Sequence, residues 1–168
     1  MLPIGRDNMK KIIVLAIIFS LTIVGLLSGC IEVPHEKKWG IYALNLETQG
    51  AELVYRSESK IQKVRLSPTD YNIVFSQYIG GETKDDEEIC TIRLDGSKYT
   101  QVTDNEFRDI QPTWSPDGNK IAFVTWRENG LDIYKMNDDG SNVEKLYDSG
   151  GHNADIHWMN DIIVFTAN

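Results

Sequence analysis

The chain has 168 residues, 41% hydrophobic and 25% charged, an ordinary composition for a globular protein, with 17 Lys+Arg against 25 Asp+Glu and a formal net charge of -8. A chain this acidic lacks the basic surface that phosphate backbones require, which excludes nucleic acid as a partner.

At the N-terminus, Lys10 and Lys11 precede a sixteen-residue run, Ile12 to Leu27, interrupted only by Ser20, Thr22 and Gly25. A basic n-region followed by an apolar h-region is the anatomy of a secretory signal peptide. As a helix this run would be about 24 Å long, short of the roughly 30 Å hydrocarbon core, so a cleaved signal is favoured over a permanent anchor. The run ends in Leu27-Ser28-Gly29-Cys30, which resembles the lipobox of prokaryotic lipoproteins. The resemblance implies cleavage before Cys30, a diacylglyceryl group on its thiol and a membrane partner reached through that lipid, on the outer face of the cytoplasmic membrane. Residues 1–29 are then the signal peptide, starting at Met1 or at Met9, which the lysines follow directly. Removing Arg6, Asp7, Lys10 and Lys11 leaves 14 Lys+Arg against 24 Asp+Glu, a net charge of about -10. Cys90 becomes the one free cysteine, which rules out an intramolecular disulfide framework and a multi-cysteine metal site. Its place in an apolar strand pattern predicts a small buried group.

Residues 30–38 carry Pro34 and charges without periodicity and read as a tether. From Trp39 to Asn168 the sequence repeats itself. Ile133-Tyr134 through Tyr147-Asp148-Ser149 aligns without a gap on Ile41-Tyr42 through Tyr55-Arg56-Ser57, 92 residues earlier, and Ile89 to Val102 is a copy 44 residues before Ile133. A second unit recurs as Leu66-Ser67-Pro68 with Ile73-Val74-Phe75, Trp114-Ser115-Pro116 with Ile121-Ala122-Phe123, and Trp158 with Ile163-Val164-Phe165, at spacings of 48 and 44. A period in the forties with four short strands is that of a β-propeller blade. In the clearest repeat the strands are expected at about 110–115, 119–126, 131–137 and 142–147, separated by Pro-Asp-Gly, Glu-Asn-Gly and Asp-Asp-Gly-Ser turns. The fold class expected is therefore all-β: a partial propeller of four-stranded antiparallel blades, about two full blades flanked by two half-blades. Three blades' worth of strands is too few for an ordinary ring, so oligomers or exposed edges are expected.

The stretch Ile110-Gln111-Pro112-Thr113-Trp114-Ser115-Pro116-Asp117-Gly118, continued by Ile121-Ala122-Phe123, Ile133-Tyr134 and Asp139-Gly140-Ser141, resembles the TolB-type, WD-like propeller repeat. The resemblance covers about residues 39–168, with blade one degraded at Leu66 and Thr69-Asp70. It does not extend to TolB itself, whose α/β domain has no room between Cys30 and Trp39. It touches the propellers of prolyl oligopeptidase-type enzymes too, but no Gly-x-Ser-x-Gly elbow is present.

His35, His152 and His157 do not share metal-ligand spacing, and the Asp-Gly pairs lack the alternating oxygen ligands of a calcium loop, so neither metal nor cofactor is expected. Lys84-Asp85-Asp86-Glu87-Glu88 reads as the solvated tip of the longest loop. Trp114, Trp158, Phe123, Phe165, Tyr42 and Tyr134 recur in phase with the repeat and are expected between blades. Trp39 and Trp126 break that phase. Loops between blades, and between second and third strands, share one face and vary from copy to copy, which makes that face the candidate binding surface, with Trp126, Arg127, Arg108, Asp109, His152 and Asp155 on it. The functional expectation is a membrane-anchored exported lipoprotein whose propeller section serves protein binding, self-association or envelope assembly without catalysis. The alternative is a section of a surface propeller enzyme of peptidase or sugar-processing type.

Overall fold

Short turns with built-in hydrogen bonds divide this chain into strands. In the Ser115–Lys120 turn, Ser115 Oγ donates to Asp117 Oδ1 at 2.6 Å, Lys120 N–H donates to Ser115 Oγ at 2.9 Å, and Gly118 takes φ +72°. Asp95 and Asp139 repeat one geometry, each accepting from the N–H and the hydroxyl two residues on, Ser97 and Ser141, at 2.9 and 2.6 Å. Gly96 and Gly140 follow them at φ +80° and +87°, and a Cβ there would lie 2.7 and 2.6 Å from the carbonyl oxygens of Val54 and Val102. Glycine at these turns therefore satisfies both the left-handed backbone and the close approach of the preceding blade.

The computed structural model describes residues 12–19, 38–80, 86–127, 130–148 and 153–167, and these contain β-strands and no helix. Two four-stranded antiparallel sheets are complete. The first holds β4 (Ile61–Leu66), β5 (Asn72–Tyr78), β6 (Glu87–Arg93) and β7 (Thr100–Gln101); the second holds β8 (Arg108–Trp114), β9 (Lys120–Arg127), β10 (Gly130–Asn137) and β11 (Glu144–Tyr147). Before them, β2 (Lys38–Asn45) and β3 (Ala51–Ser57) form the outer half of a blade, and after them β12 (Asn153–Met159) and β13 (Ile162–Ala167) form the inner half of another. This is the expected all-β partial propeller, with strands within two residues of the expected bounds in the clearest repeat.

One element departs from expectation. Ile12–Phe19, part of the run treated above as a helix, is a strand, β1, antiparallel to β2 from Ile12↔Asn45 to Phe19↔Lys38. Ile12, Ile13, Val14, Ile17 and Ile18 are β-branched, which favours a pleated strand wherever a sheet edge is open. Cys30 lies outside the described residues.

Three hydrophobic clusters hold the blades together, and each joins neighbouring sheets. Ile41 of β2 packs with Ile61, Ile73 and Phe75 of the first complete blade, with Trp39 and Ala43 alongside. Val74 and Ile89 pack with Trp114, Ile121 and Phe123 of the second, beside Tyr134. Ile110, Ala122, Val124 and Ile133 pack with Ile156 of β12, flanked by Trp158 and Phe165. The in-phase aromatics thus fill the gaps between blades, each fully buried side chain contributing about 1.5–3 kcal/mol. Cys90 is fully buried and unpaired, as its apolar context predicts.

Candidate functional site

The ends of β8 and β9 form the irregular face of the second complete blade, where Arg108 is the register partner of Trp126 and Asp109 that of Thr125. Trp126 is 45% exposed. Next to it in the chain, the Arg127 guanidinium stacks over two rings, 4.8 Å from the centroid of Phe107 and 4.7 Å from that of Tyr134, while its Nε donates to Thr125 Oγ1 at 3.2 Å. Cation–π contact holds the arginine in place without neutralising it. The face therefore carries an ordered positive charge between aromatic side chains, the residue types that dominate binding energy at protein interfaces. Phe107 was missed by sequence reasoning because nothing in its neighbourhood repeats.

Other residues expected on this face have structural partners instead. Arg108 donates twice to Glu87 Oε2, at 3.1 and 2.9 Å, across the seam between the two complete blades. Glu87 is 1% exposed and also accepts from Ser76 Oγ at 2.7 Å and Gln62 Nε2 at 3.0 Å. Asp109 has no exposed surface: it accepts from Thr125 Oγ1 and, at 2.8 Å, from Asn105 Nδ2, and burial pushes its carboxyl up. It belongs to the seam, out of reach of a partner. Glu88, likewise buried, accepts from Thr103 Oγ1 at 2.5 Å and from Asn105 N–H at 3.2 Å, and burial pushes its carboxyl up to about 7. These contacts correct the expectation that the run ending in Glu87-Glu88 is a solvated tip. Both glutamates start β6, where pleating and the next blade enclose them, while 81–85 lie outside the described residues. His152 lies outside them too.

A second irregularity sits on the innermost strands, where sequence reasoning found no converging polar groups. β4, β8 and β12 each carry a register shift at the same place in the repeat: between Gln62 and Arg65, Ile110 and Thr113, and Ala154 and His157. At these bulges Lys63, Gln111 and Asp155 adopt φ of +48°, +55° and +51°, a backbone that L-residues rarely take. Asp155, expected in a loop, is therefore on a strand. Its carboxylate meets the Lys63 ammonium, which holds the acid below its usual range, and its N–H donates to Gln111 Oε1. Lys63, Arg65, Gln111, Pro112, Asp155 and Ile156 line the resulting cleft. Pro112 fits here because a bulge spares the ladder hydrogen bond that proline cannot donate. The only advance signal was alignment of Lys63, Gln111 and Asp155 at spacings of 48 and 44, in phase with the tryptophans. Among the described residues no group of three or more His, Cys, Asp or Glu side chains could hold a metal ion.

Residues 34–168 match the family model of the TolB β-propeller domain. The chain belongs to that family. As a TolB-type propeller section, it is 27% identical over 125 residues to an uncharacterized protein of Agrobacterium fabrum, covering 70% of this chain and 41% of that one. It is 31% identical over 74 residues to dipeptidyl-peptidase 5 of Porphyromonas gingivalis, covering 43% of this chain and 11% of the peptidase. A TolB-type structure from Agrobacterium tumefaciens superposes with a TM-score of 0.57 at 26% identity, covering 65% of this chain and 41% of that one. The chain thus spans about two fifths of the length of the first of these relatives and about a tenth of the second. Within the TolB-type scaffold the turn face is regular, and the irregular chemistry lies on the Trp126 face and along the axial bulges.

Proposed function

We propose that this chain is an exported lipoprotein, carried on the outer face of the cytoplasmic membrane by a lipid on Cys30, whose propeller section binds a protein partner through the Trp126 face and performs no catalysis itself. The observation that carries the binding reading is the Arg127 guanidinium held between Phe107 and Tyr134 beside exposed Trp126. Leu27-Ser28-Gly29-Cys30 supports the address. Two acyl chains supply the stable anchoring that a single chain does not. No helix among the described residues is long and apolar enough to cross a membrane.

The test is a pull-down from detergent-solubilised membranes with the intact chain as bait and Trp126→Ala/Arg127→Ala as control. The expected result is a partner captured by the parent and lost from the variant, with Cys30→Ala moving the protein out of the membrane fraction. Equal capture by parent and variant refutes the assigned face, and unchanged retention of Cys30→Ala refutes the anchor. The second reading, a section of a surface propeller enzyme, is favoured by the 31% identity to dipeptidyl-peptidase 5. Dipeptide release by the purified chain, lost on heat denaturation, would establish it in place of the first.

A further inference from the structure

β13 and β1 are two versions of one strand. Ile162-Ile163-Val164-Phe165 at the start of β13 parallels Ile12-Ile13-Val14-Leu15 at the start of β1. The parallel extends to register. In the complete blades the second strand meets the third with Ile73↔Ile92 and Phe75↔Cys90, and with Ile121↔Met136 and Phe123↔Tyr134. Carried by the repeat onto β13 and β2, the same register pairs Ile163 with Leu44, Val164 with Ala43 and Phe165 with Tyr42. β1 already occupies these positions, as Ile13↔Leu44, Val14↔Ala43 and Leu15↔Tyr42. The edge of β2 is thus shaped for a strand of the β13 sequence, and β1 fills it in a chain that retains residues 1–29.

β13 for its part lacks a neighbour. Its sheet has two strands, and Ile162 and Val164 are 63% and 54% exposed. In the complete blades the counterparts of Val164, Val74 and Ala122, are fully buried, because the next blade covers them: Val74 packs with Trp114, and Ala122 with Ile156. Val164 needs the same two things, a third strand beside it and an inner strand over it. One surface supplies both, since β2 lies at the edge and Ile41 of β2 already packs with Ile61 of β4. Seating β13 there extends two existing inter-blade interfaces into one.

We infer that β13 of one copy docks on β2 of a second copy, and the reverse, so that two copies close a single ring. Strand number selects two. Residues 38–167 hold three blades' worth of strands, two complete and two halves. One copy closing on itself makes three blades, two make six and three make nine, and propellers typically close with four to eight. The closed pair has a twofold axis and buries both edges, the usual solution for a soluble oligomer. The inference rests on the removal of residues 1–29 proposed above, which takes β1 away and opens β2.

Cysteines at Ala43→Cys and Val164→Cys test it. Directly opposed residues on paired antiparallel strands lie about 4.5–5.5 Å apart at Cα, within disulfide range. The lipidated protein is extracted in mild detergent and oxidised; Cys90 is buried and does not compete. Intact mass reports whether the chain begins at Cys30, and so tests the anchor separately. The expected result is a 43–164 disulfide joining two chains at twice the single-chain mass, native mass spectrometry of the unsubstituted protein giving the same doubled mass, and Val164→Arg halving it. A 43–164 disulfide within one chain, a partner of any other mass, or a monomeric unsubstituted protein overturns the inference. With the companion pair Val14→Cys and Ala43→Cys, an intrachain disulfide places β1 on β2 and overturns it too. A chain starting at Cys30 that stays monomeric refutes the pairing and leaves the anchor standing.

Discussion

Lys63 and Asp155, 92 residues apart, meet as an ion pair on the inner strands at the two ends of the described propeller section, with Gln111 between them. Both side chains are substantially exposed, so the pair is screened by salt. Lys63→Ala and Asp155→Asn are expected to shift the unfolding midpoint slightly at low ionic strength and not at all in 1 M salt, measured by circular dichroism. The bulge backbone matters more. Gln111→Gly relieves a φ of +55°, whereas Gln111→Val places a β-branched residue there and should destabilise by about 1–3 kcal/mol. Urea titration checks the sign at each substitution.

Glu88 links stability to pH. Burial raises its folded value to about 7 from a usual 4.5, so between these values the unfolded chain releases a proton that the folded chain keeps. Its contribution is complete below about pH 4.5, declines as pH rises and is gone above about 7. Asp109 is displaced in the same direction, again by burial. Glu88→Gln, which keeps the hydrogen-bonding shape without the titration, should flatten the fall in stability between pH 5 and 7, followed by urea midpoints at half-unit intervals. An unchanged slope would mean that Glu88 ionises normally in the folded state.

Phe123 and Trp126, three residues apart on β9, separate folding from recognition. Phe123 is fully buried between blades, and Phe123→Ala should cost about 3–5 kcal/mol. Trp126 is 45% exposed, and Trp126→Ala should leave stability within about 1 kcal/mol of the parent. The two effects are compared by chemical denaturation, and any captured partner should be lost only through the second substitution without unfolding.

The repeat made the blade legible in the sequence, because each blade must present the same apolar groups to its neighbours. Ile73, Ile121 and Ile163, and the Asp-Gly-Ser turns with Gly96 and Gly140 against the preceding blade, recur for that reason. The buried fate of Cys90 followed from its apolar neighbours. Tertiary structure alone decided the rest. Glu87 and Glu88 look like a solvated run in one dimension, but Arg108 of the next blade and Thr103 supply partners that permit burial. Asp109 sits beside Arg108 in the chain, yet pleating turns it into the seam. Lys63, Gln111 and Asp155 lie in three different repeats and meet because a propeller brings its inner strands to one axis. Periodicity records what every blade must do alike; a site joining different blades exists only once the strands are placed in space.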